Sequence, residues 1–254
     1  MATARRLTWL GQAGFRLELE GVCVVVDPWT SPHELRAVPP PPLELAADGV
    51  DWLLVTHEHL DHLDLGLLPV VMRRSPSVRV VVPAPVAPLV EGHVPSDRLV
   101  AVWPGDRLDL DGLAARVLPA FHGVSMEDAY GDGSVLGEGP RFVGYALGAS
   151  RPLYHPGDTV VTDALLEAVG PLGVDVALLP INGRDEEREA RGIVGNMDAV
   201  EAVELALTMG ASVLVPHHWD GFEGNTVPPG SAVDAADGRV HVAVPARWLP
   251  LDLA

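Results

Sequence analysis

Short apolar runs alternate along the chain with turns rich in glycine, proline and acidic residues. Most of these runs are too short for a buried helix and are rich in valine and leucine, which favours β-strands. The sequence predicts strands at about 7–10, 15–19, 22–26, 52–56, 78–82, 99–102, 107–110, 113–118 and 142–148, and further strands in RPLYH, VDVALLP, ASVLVP and RVHVAV. Strands therefore dominate the predicted secondary structure.

Helical patterns lie mainly in the second half of the chain. TDALLEAVG predicts a helix with Thr162 or Asp163 as its N-cap, and NMDAVEAVELALTMG predicts an amphipathic helix that ends at Gly210. In the first half we expect a short helix or turn near 64–73. The proline-rich segment 37–45 predicts a loop, because proline fixes φ and lacks an N–H donor. Strands combined with a few helices predict a mixed chain of the α/β or α+β class.

The composition predicts a globular protein with a large core. The chain has 254 residues, of which 48% are hydrophobic, and we expect one domain over residues 1–254. No apolar run approaches the roughly 20 residues that cross a bilayer, and the first residues lack the apolar stretch of a secretory signal. Cys23 is the only cysteine and lies in an apolar run, which favours a core thiol over a nucleophile. A cytoplasmic location is expected.

The net charge of −18 narrows the choice of partners. A nucleic-acid partner needs clustered lysine and arginine, and an anionic membrane surface would repel this chain. We therefore expect a small-molecule substrate, no nucleic acid and no membrane. The sequence leaves the oligomeric state open, a homo-oligomer included.

The segment VTHEHLDHLD at 55–64 concentrates candidate metal ligands. His57, His59, Asp61 and His62 follow a predicted strand within six positions. Imidazole and carboxylate groups are the ligands of hydrolytic Zn, Mn or Fe centres. If the segment leaves its strand extended and then turns, it presents two sets of ligands to two neighbouring metals. Such a cluster arises by chance in about two of a thousand chains of this composition, and the alternative is a solvated histidine-rich turn.

Three further candidate ligands follow other predicted strands: His122, Asp158 and His218. A lone histidine at a strand end is more often structural. Three such residues at strand-to-loop junctions, added to the cluster at 55–64, make a metal site the better interpretation. His217 competes with His218 for one ligand role, and the spacing within VPHHWD favours His218.

Taken together, these residues resemble the pattern of the metallo-β-lactamase superfamily. The resemblance implies a four-layer αββα sandwich, in which two facing β-sheets lie between outer helices and the metals sit at one edge. It implies that His57, His59 and His122 hold a first metal and that Asp61, His62 and His218 hold a second. Asp158 would bridge both metals. Asp27, in VVVDPW, resembles the aspartate that supports the ligand loop without binding metal.

Four further segments are similar to the L-ascorbate-6-phosphate lactonase-like branch: WLGQAGF, LPINGRD, IVGNMDAVEA and PHHWDGFEGNT. This similarity runs from residue 9 to about residue 230. It implies a cytosolic hydrolase, and the named lactonase is associated with manganese. This chain is shorter than that lactonase, so its substrate need not be the same.

The resemblance implies a metal-dependent hydrolase with two divalent ions, Zn or Mn, with Fe left open. A hydroxide bridging the two metals would open a lactone or similar ester of a small metabolite, a phosphorylated one included, and Asp61 is the candidate for proton transfer. One alternative is a small-molecule phosphodiesterase that uses the same site. A second alternative, from another class, is an iron-dependent oxidoreductase. A non-catalytic binding role is the least expected, since every ligand position is filled.

The remaining polar residues near these motifs are candidates for roles other than metal binding. Asn182 and Arg184 follow a predicted strand and are candidates for substrate contacts, with a salt bridge from Arg184 to Asp185 or Glu186 as the alternative. Glu58 is expected to be solvated or bonded to its loop. His155 is expected in the pocket wall or behind a ligand.

Overall fold

The computed structural model describes residues 5–137 and 139–253. The ends of the predicted domain, residues 1–4 and 254, lie outside the described residues, as does residue 138. Fourteen strands form two seven-stranded sheets. The first sheet consists of β1 (Arg5–Gly11), β2 (Gly14–Leu19), β3 (Val22–Val26), β4 (Trp52–Leu54), β5 (Arg79–Pro83), β6 (Leu99–Val102) and β14 (Pro250–Leu253), in the order β14-β1-β2-β3-β4-β5-β6.

The second sheet has the same size and a similar plan. It consists of β7 (Arg107–Leu110), β8 (Leu113–Pro119), β9 (Val143–Leu147), β10 (Leu153–His155), β11 (Val176–Pro180), β12 (Val213–His217) and β13 (His241–Val242), in the order β13-β12-β11-β10-β9-β8-β7. One side of each sheet consists of antiparallel pairs and the other side of parallel pairs. The parallel strands are β3 to β6 in the first sheet and β10 to β13 in the second. Both sheets are therefore mixed.

Helices cover the outer face of each sheet. The first sheet is covered by α1 (Leu43–Ala47), α2 (Leu68–Arg74) and α3 (Ala87–Val90). The second is covered by α4 (Asp163–Val169), α6 (Ala199–Thr208) and α7 (Gly230–Ala236), while α5 (Glu186–Ala190) buries no residue. None of the described helices is long and apolar enough to cross a membrane.

Central strands such as β3, β9 and β11 are apolar throughout, since both of their faces are buried. On β5, Val81 faces the core between the sheets, whereas Val80 and Val82 face the helices. On β11, Leu178 faces the same inner core, and Ala177 and Leu179 face the outer helices. Strands buried on both faces lose the alternation of polar and apolar residues. The predicted four-layer αββα sandwich is confirmed.

Most predicted elements are confirmed, with differences at short ones. The predicted helix N-cap at Thr162 is confirmed, since its side chain accepts a hydrogen bond from Leu165 N at 3.1 Å. The loop prediction for 37–45 is wrong at its end, where α1 begins. RVHVAV contains only the two-residue β13 and is not the last strand, because β14 follows and pairs with β1. The short helices α3 and α7 were not predicted.

Candidate metal centre

The loop after β4 carries the histidine cluster and is fixed at its start by β9 of the second sheet. Thr56 O accepts a hydrogen bond from Val143 N at 3.0 Å, and Val55 O accepts one from Tyr145 Oη at 2.7 Å. The loop then turns, because His62 N donates to His59 O at 2.9 Å. The predicted change of direction between the two sets of ligands is therefore present.

The first group of candidate ligands consists of His57, His59, His122 and Asp158, whose ligand atoms all lie within 4.8 Å of one another. His57 Nε2 lies 2.9 Å from His59 Nδ1, and His122 Nε2 lies 3.5 Å from Asp158 Oδ2. Burial lowers the pKa of His57 well below its usual value and that of His122 to about 3. Both imidazoles are therefore neutral, which is the form that binds metals.

The second group consists of Asp61, His62 and His218, again within 4.8 Å of one another. Asp61 Oδ2 lies 3.5 Å from His218 Nε2 and 3.7 Å from His62 Nε2. Burial by itself would lower the pKa of His218, but the carboxylates of Asp158 and Asp61 raise it to about 9. These carboxylates thus make the second group favourable for positive charge.

Asp158 lies between the two groups. Its Oδ1 is 3.3 Å from His62 Nε2, and its Oδ2 is 3.1 Å from His218 Nε2 as well as 3.5 Å from His122 Nε2. Both His62 Nε2 and Asp158 Oδ1 are buried and form no hydrogen bond with any residue in the described ranges. Buried polar atoms without partners are costly, and a cation between them would satisfy both. The donor set fits divalent metals.

Asp27 supports this arrangement from behind, as the sequence predicts. Its Oδ2 accepts a hydrogen bond from Thr56 Oγ1 at 2.6 Å and lies 2.7 Å from His62 Nδ1, while its Oδ1 accepts from Thr56 N at 2.9 Å. An Nδ1–H bonded to Asp27 leaves Nε2 of His62 as the free lone pair facing Asp158. Asp27 is not itself among the ligand atoms.

Asp64 anchors the other end of the loop, a role that the sequence analysis missed. Its Oδ2 accepts hydrogen bonds from Thr30 N, Thr30 Oγ1 and Ser31 N at 2.8, 2.9 and 2.8 Å. Its Oδ1 accepts from Leu67 N at 3.1 Å, just before α2. The two aspartates of the cluster thus differ in place: Asp61 lies among the candidate ligands, and Asp64 anchors the loop.

Glu58 lies in the motif but outside both groups. It is not solvated, since its side chain is only 11% exposed and forms an ion pair with Arg141. Arg141 Nε donates to both carboxylate oxygens at 3.0 Å. Of the two expectations for Glu58, a bond to its own loop agrees better with the observed ion pair than a solvated side chain does. The partner, however, belongs to the segment before β9.

The structure places Arg184 in a salt bridge, the alternative that the sequence left open, and outside the lining of the cavity. Its guanidinium donates to Glu201 Oε2 and Oε1 at 2.6 and 2.7 Å and to Asn196 O at 3.1 Å, so Glu201 takes the place of both acidic partners proposed from the sequence. The arginine that lines the cavity is Arg191.

Asn182 lies behind the cavity wall rather than in it. Its Nδ2 donates to Asn225 Oδ1 at 3.2 Å, and its Oδ1 accepts from Asn196 Nδ2 at 3.0 Å. Arg188 Nη1 also donates to Asn225 Oδ1 at 2.7 Å. Since Asn225 lines the cavity, Asn182 orients a wall residue.

The two histidines with open roles are both structural. His155 Nε2 lies 2.8 Å from Ala13 O, and its Nδ1 accepts a hydrogen bond from Gly157 N at 2.9 Å, so it holds the loop that carries Asp158. His217 is buried and stacks on His155 with ring centres 4.9 Å apart. His218, not His217, joins the second group, as the spacing predicts.

A cavity of about 260 Å³ opens onto both groups. Its lining includes ligand residues from each, and its walls are largely apolar, formed by Leu35, Val124, Ile193, Val194 and Phe222. Arg191, Glu223 and Asn225 add polar groups. The cavity therefore exposes both groups of candidate ligands to a molecule of limited size.

Comparison with known proteins agrees with this geometry. Residues 23–219 match a family model described as the β-lactamase superfamily domain. The chain is 31% identical over 219 residues to the UPF0173 metal-dependent hydrolase MK1542 of Methanopyrus kandleri, and the match covers 85% of each. The chain therefore belongs to the metallo-β-lactamase superfamily of metal-dependent hydrolases.

Two solved structures show how widely this fold is used. Igni18, a metallo hydrolase from the archaeon Ignicoccus hospitalis, has a TM-score of 0.77 at 22% identity and covers 99% of both chains. CmlA, a diiron β-hydroxylase from Streptomyces venezuelae, has a TM-score of 0.69 at 16% identity and covers 98% of this chain and 54% of its own. Both likenesses concern the fold, which does not by itself select a metal or a reaction.

Proposed function

We propose that the protein opens a lactone or similar ester of a small metabolite with the help of two divalent metal ions. The observation that carries this proposal is the pair of histidine and aspartate groups, joined through Asp158, at the floor of one cavity. His57, His59 and His122 would hold one ion and Asp61, His62 and His218 the other, with Asp158 between them. Such nitrogen and oxygen donors suit Zn or Mn, with Fe left open.

The bound ions would supply a water nucleophile that is active at neutral pH and would polarise the substrate carbonyl. The chain's own residues do the rest. His57 and His122 remain neutral because they are buried, so they need not lose protons to act as ligands. Asp61 lines the cavity, and its carboxylate is the candidate for moving the proton of the attacking water to the leaving alkoxide.

The cavity suits a small substrate whose reacting group is uncharged and whose other end is polar. Its apolar walls exclude water around an ester, and Arg191 and Asn225 can orient a polar or anionic substituent. A volume of about 260 Å³ suits a metabolite rather than a polymer. The net charge of −18 likewise supports a small molecule over a nucleic acid.

The test compares His59→Ala with His93→Ala, since His93 is an exposed histidine outside both groups. Each protein is assayed for metal content by mass spectrometry and for hydrolysis of a panel of lactones and an aryl phosphodiester. We expect His59→Ala to lose the metal of the first group and at least about 100-fold in lactone hydrolysis, while His93→Ala keeps both.

Two results would contradict the proposal. Full lactone hydrolysis by a metal-free His59→Ala protein would remove the metals from the mechanism. If the wild-type protein cleaved the phosphodiester but no lactone, the reaction at this site would be phosphodiester hydrolysis and not ester hydrolysis.

A further inference from the structure

Gln12 is a buried polar residue tied to the segment that carries His218. It lies in the two-residue turn between β1 and β2, is 2% exposed and has a φ of 51°, in the left-handed region. Its O accepts hydrogen bonds from His218 N and Trp9 Nε1, both at 3.0 Å, and its N donates to Asp220 Oδ1 at 2.9 Å. The position of its side chain is therefore fixed relative to the second group.

The side chain of Gln12 ends beside two candidate ligand atoms. Its terminal nitrogen lies 2.8 Å from Asp61 Oδ2 and 3.1 Å from His218 Nε2, and these two atoms are 3.5 Å apart. Donor atoms about 2.1 Å from one cation are separated by about 3.0 Å at right angles and about 3.4 Å at the tetrahedral angle. The distances from the terminal nitrogen of Gln12 to Asp61 Oδ2 and His218 Nε2 are therefore those expected between ligand atoms of one cation.

We propose that the carboxamide of Gln12 is a further ligand of the metal held by Asp61, His62 and His218, and that it binds through Oε1. The amide N–H suits a carboxylate by itself, whereas a cation bound by the same carboxylate favours the amide oxygen. Half a turn about the last side-chain bond exchanges the two atoms, which have nearly the same size. Oε1 is buried and accepts no hydrogen bond from the residues that the structure describes.

The surroundings of Gln12 are shaped to hold this amide. A Cβ on Gly221 would lie 2.0 Å from Gln12 Oε1, so only a glycine leaves room for the side chain there. Asp220, which holds the Gln12 backbone, is itself held by Arg247. Several buried polar groups and a left-handed turn thus serve to bring one glutamine to the second group.

An amide ligand makes the two metal positions chemically different. The first group offers three imidazoles and one carboxylate, whereas the second would offer two imidazoles, the carboxylates of Asp61 and Asp158 and a neutral oxygen. Oxygen donors suit Mn²⁺ better than softer ions. The second position should therefore prefer Mn²⁺ more strongly than the first does.

The first experiment is a calorimetric titration of metal-free protein with Mn²⁺ and separately with Zn²⁺. It compares wild type with Gln12→Met, which keeps the side-chain length but removes the oxygen, and with His93→Ala, which removes an exposed side chain outside both groups. We expect Gln12→Met to weaken Mn²⁺ binding at the second group by about 10- to 100-fold. It should weaken Zn²⁺ binding there less and leave metal binding at the first group unchanged. His93→Ala should bind both ions as wild type does.

The second experiment separates a ligand from a residue that only positions Asp61. It is a crystal structure of the Mn²⁺-loaded wild-type protein with anomalous data. Gln12 Oε1 within about 2.3 Å of the ion supports the proposal, and it decides the matter even if Gln12→Met fails to fold. The proposal would be overturned if the amide nitrogen stayed on Asp61 in the Mn²⁺-loaded structure. It would also be overturned if Gln12→Met left Mn²⁺ binding at the second group unchanged, or if the wild-type protein bound one ion only. A negative lactone assay would leave these readouts unaffected, because they do not depend on the reaction.

Discussion

His57 and His218 are both buried histidines, yet their surroundings differ in charge. Other histidines surround His57, and burial keeps its pKa low. Asp158 and Asp61 lie against His218 and raise its pKa to about 9. The imidazoles of His57 and His122 in the first group are therefore neutral, and the second group concentrates negative charge. The carboxylates that raise the pKa of His218 are distant from it in sequence, whereas His59 and His62 lie close to His57 in the chain.

The clearest residue-scale prediction concerns Asp27, which contacts His62 but lies outside both groups of ligand atoms. Asp27→Asn replaces one carboxylate oxygen by an NH₂ group, so His62 and Thr56 lose a shared acceptor. We expect metal affinity at the second group to fall by about 10- to 100-fold, because the orientation and tautomer of His62 are no longer fixed. Competition with a chelator measures this affinity.

Asp175→Asn is the matched control for this measurement, since Asp175 is also a buried aspartate but bonds to Arg5 and Ser212, away from the metal groups. It should leave metal affinity unchanged. Equal affinities for Asp27→Asn and wild type would show that His62 does not depend on Asp27.

At the scale of elements, the longest helix is the one that the sequence predicts best. The helix α6 begins with a reciprocal cap, in which Asp198 Oδ1 accepts from Val200 N and Glu201 N at 2.9 Å and Glu201 Oε2 accepts from Asp198 N at 2.9 Å. This local pattern is readable in NMDAVE. Short helices such as α3 and α7 have no comparable signal, because their stability depends on packing against the sheets.

Asp198→Ala tests the contribution of this cap. We expect the free energy of unfolding to fall by about 1 kcal/mol, since two backbone N–H groups lose their acceptor. Urea denaturation followed by circular dichroism measures the change. Val200→Ala, at an exposed position of the same helix, should change stability much less. A loss for Asp198→Ala no larger than that of the control would mean that the cap does not stabilise the fold.

At the scale of the whole molecule, Asp175 ties the two sheets together at the beginning of several strands. Arg5 of β1 donates to its Oδ2 at 2.8 Å, and Arg151 and Ser212 bond to its Oδ1. Burial by itself would raise the pKa of Asp175, but the hydrogen bonds from Ser212 and Arg5 lower it. The metal groups follow the ends of β4, β8, β10 and β12, so this ion pair lies at the other end of the strands.

Asp175→Asn should therefore reduce stability in a pH-dependent way. At pH 7 we expect a loss of about 1–3 kcal/mol in the free energy of unfolding, the range for hydrogen bonds that involve a charged group. A lowered native pKa contributes stability above the unfolded value of about 3.9, and that stability disappears as pH falls through the native pKa. The difference between wild type and variant should shrink below about pH 4.

Urea denaturation at pH 7 and at several values between pH 5 and pH 3 measures both quantities. A difference that stays constant over this range would show that the ionised carboxylate is not what Asp175 contributes.

The sequence by itself determined most of the strands, the helices α4 and α6 and the cluster at 55–64, because these depend on local periodicity and on short spacings. It also pointed to His122, Asp158 and His218, since each follows a strand. Only the tertiary structure decided that Arg184 pairs with Glu201, that Arg191 lines the cavity and that Gln12 meets Asp61 and His218. These contacts join residues far apart in the chain, and the packing of two sheets sets their distances.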